Sequence, residues 1–341
     1  MKARLTLTLG AALCLQAAAQ VDSDPYFGDW VGKMNLNGTE QSVCVCMIPR
    51  GDSHYEARFF RKFGEQDTPL QTLVGSISGG TFKFIEPDVL KLENIKRPAR
   101  DGIVLDATLW QGPVTDDKKV TGRIAGKENG TFTLEKTVRT SPTMGLKPPK
   151  GAIVLFDGTN TDAFHEIGNN NPIRWVIKDG ALEVAGGDIA PRQGFADCTL
   201  HIEFRSPYIT QFTGQLRGNS GVYVNGAYEL QILDSYGLPG LDNDCGGLYQ
   251  VARPLVNACF PPTYWQTYDI DFTAPRFDAD GRKVANGRMT VKLNGITIHD
   301  NVELPRATAG ATNPTERDIV GLRLQDHGDN VQFRNIWALE K

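Results

Sequence analysis

Gly218-Asn219-Ser220-Gly221-Val222-Tyr223-Val224-Asn225-Gly226-Ala227-Tyr228-Glu229-Leu230-Gln231-Ile232-Leu233-Asp234 is the stretch whose reading decides the fold. Asn225-Gly226 stands between two alternating runs, and both residues of such a pair accept the positive φ of a tight hairpin turn. A two-residue loop predicts Val224 opposite Ala227, Tyr223 opposite Tyr228, Val222 opposite Glu229 and Ser220 opposite Gln231. Opposed residues share a sheet face. This register sets Ser220, Glu229 and Gln231 on a polar face and leaves Tyr223, Tyr228, Leu230 and Ile232 for the core.

Outward from the hairpin, residues 151–341 continue in the same manner. Short alternating runs recur at 153–156, 175–178, 181–185, 198–205, 265–272, 287–294, 296–300, 320–327 and 331–339, and Asn294-Gly295 marks a second hairpin. Short antiparallel strands with Gly-rich turns and no helical period predict a two-sheet jelly roll. The irregular segment 235–264 is too long for a plain connection, which marks it as functional.

Two other strands share the hairpin's design. In 198–205, Leu200, Ile202 and Phe204 go to the core, while Thr199, His201, Glu203 and Arg205 face away. In the strand ending at His327, Leu322 and Leu324 go in, and Arg323, Gln325 and His327 face away. Alternation alone says only that an antiparallel sheet has one solvated face. Residue type says more. These faces carry Glu, Gln, Arg and His and no Lys, which makes them candidates for one shared site. Tyr249, Tyr264 and Trp265 lie on or beside the long loop, where flat rings can stack on sugars; Trp175 and Trp337 fall in apolar strand positions and belong to the core. Asp234, outside the register of the polar face, either lines the cleft from the strand end or caps the turn at Ser235.

The chain of 341 residues has room for two domains. Lys2 and Arg4, the apolar run 5–15 and Ala17-Ala18-Ala19 read as a secretory signal over residues 1–20, too short for a membrane span. The expected location is secreted or periplasmic. Loss of Lys2 and Arg4 takes the formal charge from −4 to −6, and a mildly acidic surface disfavours nucleic acid. Cys44, Cys46, Cys198, Cys245 and Cys259 remain; Cys245 and Cys259 flank a loop and are the pair expected to bridge. Residues 21–140 read as a separate all-β domain, sandwich or small barrel, with no catalytic constellation. The Pro-rich stretch 141–150 reads as a linker.

Residues 151–341 resemble the 3-keto-disaccharide hydrolase domain family, a concanavalin-like jelly roll. The resemblance rests on Leu155-Phe156-Asp157-Gly158, Asp179-Gly180-Ala181-Leu182, Glu203-Phe204-Arg205, Asn219-Ser220-Gly221-Val222-Tyr223, Tyr228 to Asp234, Leu324-Gln325-Asp326-His327-Gly328 and Phe333-Arg334-Asn335-Ile336-Trp337, in that order. The residues ahead of it are similar to β-rich extensions found in some bacterial members. The resemblance implies cleavage of glycosides already oxidised to a ketone at C3. Such a ketone makes the C2 hydrogen acidic, so a base removes it, the C1 substituent leaves, and water adds to the product. On this reading Glu229 is the base and His327 the proton donor or alternate base, with Glu203 as a further catalytic carboxylate. Gln231, Arg205 and Gln325 hold the enolate and hydroxyls, and Ser220, Asp234, Tyr249 and Trp265 join them against substrate. A divalent metal on His327, Glu203 or Glu229 is another way to polarise the ketone, although the sequence carries no recognised metal motif. Two rivals remain: a glycosidase using Glu203 and Glu229 as its two carboxylates, and a non-catalytic carbohydrate-binding jelly roll. In the first, Gln231 occupies the position where jelly-roll glucanases place a second carboxylate. The expected partner is a carbohydrate.

Overall fold

The computed structural model describes residues 24–64, 69–87 and 108–341. The signal reading of residues 1–20 lies outside the described residues. The chain divides into two units, with the boundary between Arg139 and Thr140. Among the described residues no helix is long and apolar enough to cross a membrane.

The first unit is a closed barrel of β1 (Gly28–Leu36), β2 (Thr39–Gly51), β3 (His54–Phe60), β4 (Gln71–Ser78), β5 (Thr81–Ile85), β6 (Leu109–Pro113), β7 (Lys119–Ala125) and β8 (Gly130–Lys136), each paired with the next and β8 with β1. Strict alternation builds it. Along β7, Val120, Gly122 and Ile124 are buried and their neighbours exposed. Trp30, Phe59, Phe82, Phe84, Trp110 and Phe132 fill the interior; the last five form ring pairs with centroids 4.1–5.3 Å apart. Of the two architectures expected for this region, the barrel is the one formed.

The second unit is a two-sheet sandwich. Its strands are β9 (Ile153–Phe156), β10 (Phe164–Glu166), β11 (Val176–Lys178), β12 (Ala181–Glu183), β13 (Ile189–Pro191), β14 (Cys198–Arg205), β15 (Ser220–Val224), β16 (Tyr228–Ile232), β17 (Gln266–Thr273), β18 (Arg276–Phe277), β19 (Lys283–Ala285), β20 (Gly287–Leu293), β21 (Ile296–Leu304), β22 (Leu322–Leu324) and β23 (Gln332–Glu340). One sheet runs β10-β13-β22-β15-β16; the other runs β11-β12-β23-β14-β17-β20-β21, with β9 on β23. Leu200, Ile202 and Phe204 from one sheet and Val222, Leu230 and Leu324 from the other are fully buried. The Tyr228 ring of β16 lies 5.7 Å from the Phe272 ring of β17, a contact from sheet to sheet.

Residues 141–147, read from composition as linker, lie on the outer face of the eight-stranded sheet. Thr143 Oγ1 donates to Asp269 Oδ2 (2.6 Å), Gly145 N to Glu203 Oε1 (2.6 Å), and Leu146 O accepts from Trp337 Nε1 (3.2 Å). Cys245 and Cys259, expected to bridge, are both buried free thiols. Cys245 Sγ lies 3.6 Å from Tyr268 Oη, and Cys259 Sγ donates to Leu233 O (3.7 Å).

Candidate functional site

The hairpin forms, but one residue out of the expected register. Val224 pairs with Tyr228, Tyr223 with Glu229, Gly221 with Gln231 and Ser220 with Ile232. Asn225 and Gly226 take φ of 53° and 64°, as the turn chemistry requires, yet Ala227 is an extra loop residue. At the other two Asn-Gly turns the flanking residues pair directly, Leu36 with Thr39 and Leu293 with Ile296. The difference comes from neighbours. Ala227 O accepts from Thr308 N (2.9 Å), Gly226 O from Asn313 N (3.1 Å), and Asn225 N donates to Gly321 O (2.8 Å). These bonds hold a three-residue loop where local preference favours two. A one-residue slip moves every side chain on one strand to the opposite face. Tyr223 therefore joins Glu229, whereas Ser220, expected beside Glu229, leaves that face and donates to Gln325 O (2.7 Å).

Two cross-strand rows result on the outer face of the five-stranded sheet. Arg323, Tyr223 and Glu229 form one, by the pairings of β22 with β15 and β15 with β16. Gln325, Gly221 and Gln231 form the other, with Gln325 N donating to Gly221 O at 3.0 Å. This face is not solvated: every residue of β15 and β16 is buried. The long loop supplies one wall, since Gln231 N donates to Gly247 O (3.0 Å) and Tyr249 N to Glu229 O (3.1 Å), so residues 247–249 run along the free edge of β16. Ala309 and Gly310 supply another. Between them lies a recess of about 160 Å³ lined by Glu229, Tyr223, Gln231, Gln325, His327 and Tyr249, and by Gln215 and Asn219.

Glu229 is its centre. The side chain is buried, and Tyr223 Oη donates to its Oε2 at 2.7 Å. Its other oxygen occupies the space left by the missing side chain of Gly221; a Cβ there would stand 2.5 Å from Glu229 Oε1. Burial pushes the carboxyl up to about 7, against the opposing effects of the Tyr223 hydrogen bond and the Arg323 charge. Arg323 is itself held by Asp188, at 2.8 Å from Nε, and lies 4.0 Å over the Tyr223 ring. The recess thus contains a carboxylate poised to exchange a proton near neutrality.

Of the residues expected to converge, Glu229, Gln231, Gln325, His327 and Tyr249 do so. Glu203, Arg205 and Trp265 do not. β14 belongs to the eight-stranded sheet, so its outward face points away from the recess. Glu203 takes hydrogen bonds from Gly145 N, Asn335 Nδ2 and Arg334 Nε. Burial works to raise its pKa, but those bonds and His201 outweigh it and hold the carboxyl at about 2. Arg205 donates to Gln332 (2.6 Å), and its guanidinium lies 4.7 Å from the Trp265 ring, which Arg334 also covers. Asp234 is buried in an ion pair with Arg217 (2.6 Å). Of the three residues named for a metal, Glu229 and His327 share the recess and Glu203 does not; no group of three His, Cys, Asp or Glu side chains suited to a metal occurs among the described residues. Tyr223 was hidden by the register, Asn219 stood in a motif of the family resemblance but just ahead of the alternating run, and Gln215, Ala309 and Gly310 sit in segments without periodicity, where the sequence carries no signal.

A jelly-roll sandwich with one polar recess on its smaller sheet defines the class of this domain. Residues 151–339 match the 3-keto-alpha-glucoside-1,2-lyase-like domain, and the chain belongs to that family. Among solved structures, a "putative glycosyl hydrolase" from Parabacteroides distasonis ATCC 8503 is 35% identical, with 57% of this chain and 86% of that one covered at a TM-score of 0.53. A second structure so described from the same organism is 18% identical, with 56% of this chain and 94% of that one covered at a TM-score of 0.40. No curated protein matches the chain.

Proposed function

We propose that the second unit cleaves 3-keto-glycosides by elimination followed by hydration. Glu229 takes the C2 proton; the electron pair of the C2–H bond passes through the enolate of the C3 ketone and expels the C1 oxygen. His327, on the rim of the recess, supplies the proton that the leaving oxygen needs. Water then adds across the new double bond, hydroxyl to C1 and hydrogen to C2, for net hydrolysis. The observation that supports this reading is one buried carboxylate with a pKa of about 7, fixed by Tyr223 and surrounded by amides and an imidazole. An acid or base in position contributes about 10²- to 10⁴-fold.

The rival with two carboxylates needs Glu203 and Glu229 to flank one bond. They stand on different sheets, and Glu229 is the one carboxylate among the lining residues. The domain's family and its 35% identical structural relative support a glycoside as substrate. We also propose, from the signal-like residues 1–20, that the reaction takes place outside the cytoplasm. The test is to incubate the protein with a methyl glucoside and with its 3-keto form. Cleavage of the oxidised sugar alone, lost in Glu229→Gln, is expected; cleavage of the plain glucoside, or full activity in Glu229→Gln, refutes the proposal.

A further inference from the structure

We infer that Gln215, Asn219 and Gln231 form a subsite whose unpartnered amide oxygens take hydrogen-bond donors, and that it selects the unoxidised hydroxyls of the glycosyl ring. The inference rests on the proposed sugar substrate and concerns how that sugar is read. Its starting point is a backbone carbonyl, which can only accept. Gln215 Nε2 donates to Asn243 O at 2.8 Å, so the amide end nearest that carbonyl must be nitrogen. Gln215 Oε1 is then an acceptor, and it receives Gln231 Nε2 at 2.8 Å and Asn219 Nδ2 at 3.2 Å. A second carbonyl fixes Asn219 the same way, since its Nδ2 also donates to Gln215 O at 2.9 Å. The amide orientations, usually ambiguous, follow here from two fixed acceptors.

The consequence is a polarised network. Asn219 Nδ2 spends both its hydrogens on Gln215, and Gln215 Nε2 and Gln231 Nε2 each spend one on a protein acceptor, whereas Asn219 Oδ1 and Gln231 Oε1 are left without partners. Both residues are 1% exposed, and both line the recess. Gln325 Oε1 is a third unpartnered acceptor on the same wall. Buried acceptors of this kind are costly unless something donates to them. A ring hydroxyl does so; a ketone or an ether oxygen cannot. The C3 carbonyl of the substrate is therefore kept off these oxygens, and the 4- and 6-hydroxyls are the groups that fit them once C2 faces Glu229. The wall thus sets the ring's orientation as well as its identity.

The experiment is a titration of the full chain carrying Glu229→Gln, which stops turnover, with methyl 3-keto-glucoside and its 4-deoxy, 6-deoxy and 4-O-methyl forms. Loss of a hydroxyl that the wall reads is expected to weaken binding by about tenfold to a hundredfold, and methylation by at least as much. In Gln231→Met, or in Asn219→Ser if the first fails to fold, the parent sugar weakens and the penalty for the same deoxygenation shrinks toward unity. A structural role alone would weaken all ligands equally. Deoxy and methylated sugars binding within about threefold of the parent overturn the inference, as does an unchanged deoxy penalty in both variants. If the wild-type protein turns over no 3-keto-glycoside, the proposed reaction fails, while the same titrations with the plain glucoside and its deoxy forms still read the subsite. No binding by either series overturns it.

Discussion

Tyr223→Phe isolates the hydrogen bond that tunes Glu229. Tyr223 Oη donates to Glu229 Oε2 at 2.7 Å with both side chains buried, so solvent does not screen the bond. Of the influences on Glu229, burial raises its pKa and is the largest; the Tyr223 bond opposes it. A hydrogen bond to a charged group contributes about 1.5–3 kcal/mol, and at about 1.36 kcal/mol per pKa unit its loss raises the carboxyl by about 1–2 units. The proposed base acts when deprotonated, so activity is expected to rise with pH through this value. From about 7 in the wild type, the acid limb of kcat/KM is expected to move to about 8–9. At pH 7 the active fraction then drops from about one half to between about a tenth and a hundredth, while the plateau at high pH is largely kept. The assay is the pH profile of kcat/KM on a 3-keto-glucoside, with thermal unfolding to confirm that the variant is folded. Superimposable limbs, or a loss equal at every pH, refute the assignment of Glu229 as the titrating base.

Asp188→Asn removes a charge that raises the Glu229 pKa and frees Arg323 to lower it further, so its acid limb is expected to move down, opposite to Tyr223→Phe, in the same assay. Gly221→Ala sets a Cβ 2.5 Å from Glu229 Oε1 and 3.0 Å from Tyr223 Cε2; kcat/KM is expected to fall by about 10²-fold or more, with near-normal circular dichroism, and an unaffected rate would show that the carboxylate need not sit there. Glu203→Gln tests the outer face of the other sheet. Its carboxyl is held at about 2 against an ordinary 4.5, so its contribution to stability is present above that ordinary value and lost as pH falls through it toward 2. The variant is expected to melt lower at neutral pH, to show a flatter decline of Tm in acid, and to keep the wild-type acid limb of kcat/KM; a shifted limb would return Glu203 to the chemistry.

The alternating runs and the Asn-Gly pairs determined that both units are built from β-strands, and they determined which residues of one strand share a side. Glu229 with Gln231, and Arg323 with Gln325, needed nothing beyond a period of two. What crossed from strand to strand was decided elsewhere. The register turned on Ala227, held in the loop by Thr308, Asn313 and Gly321, residues far along the chain whose approach no local preference encodes. That single residue exchanged Ser220 for Tyr223 beside Glu229. The alternation in β14 likewise fixed the side taken by Glu203 but not the sheet the strand would enter. There the outward face is buried by residues 141–147, not by substrate, because Gly145, Arg334 and Asn335 satisfy its carboxylate. Local periodicity sets direction within a strand; pairing partners and loop contacts come from distant segments, so the composition of the recess was left to the tertiary structure.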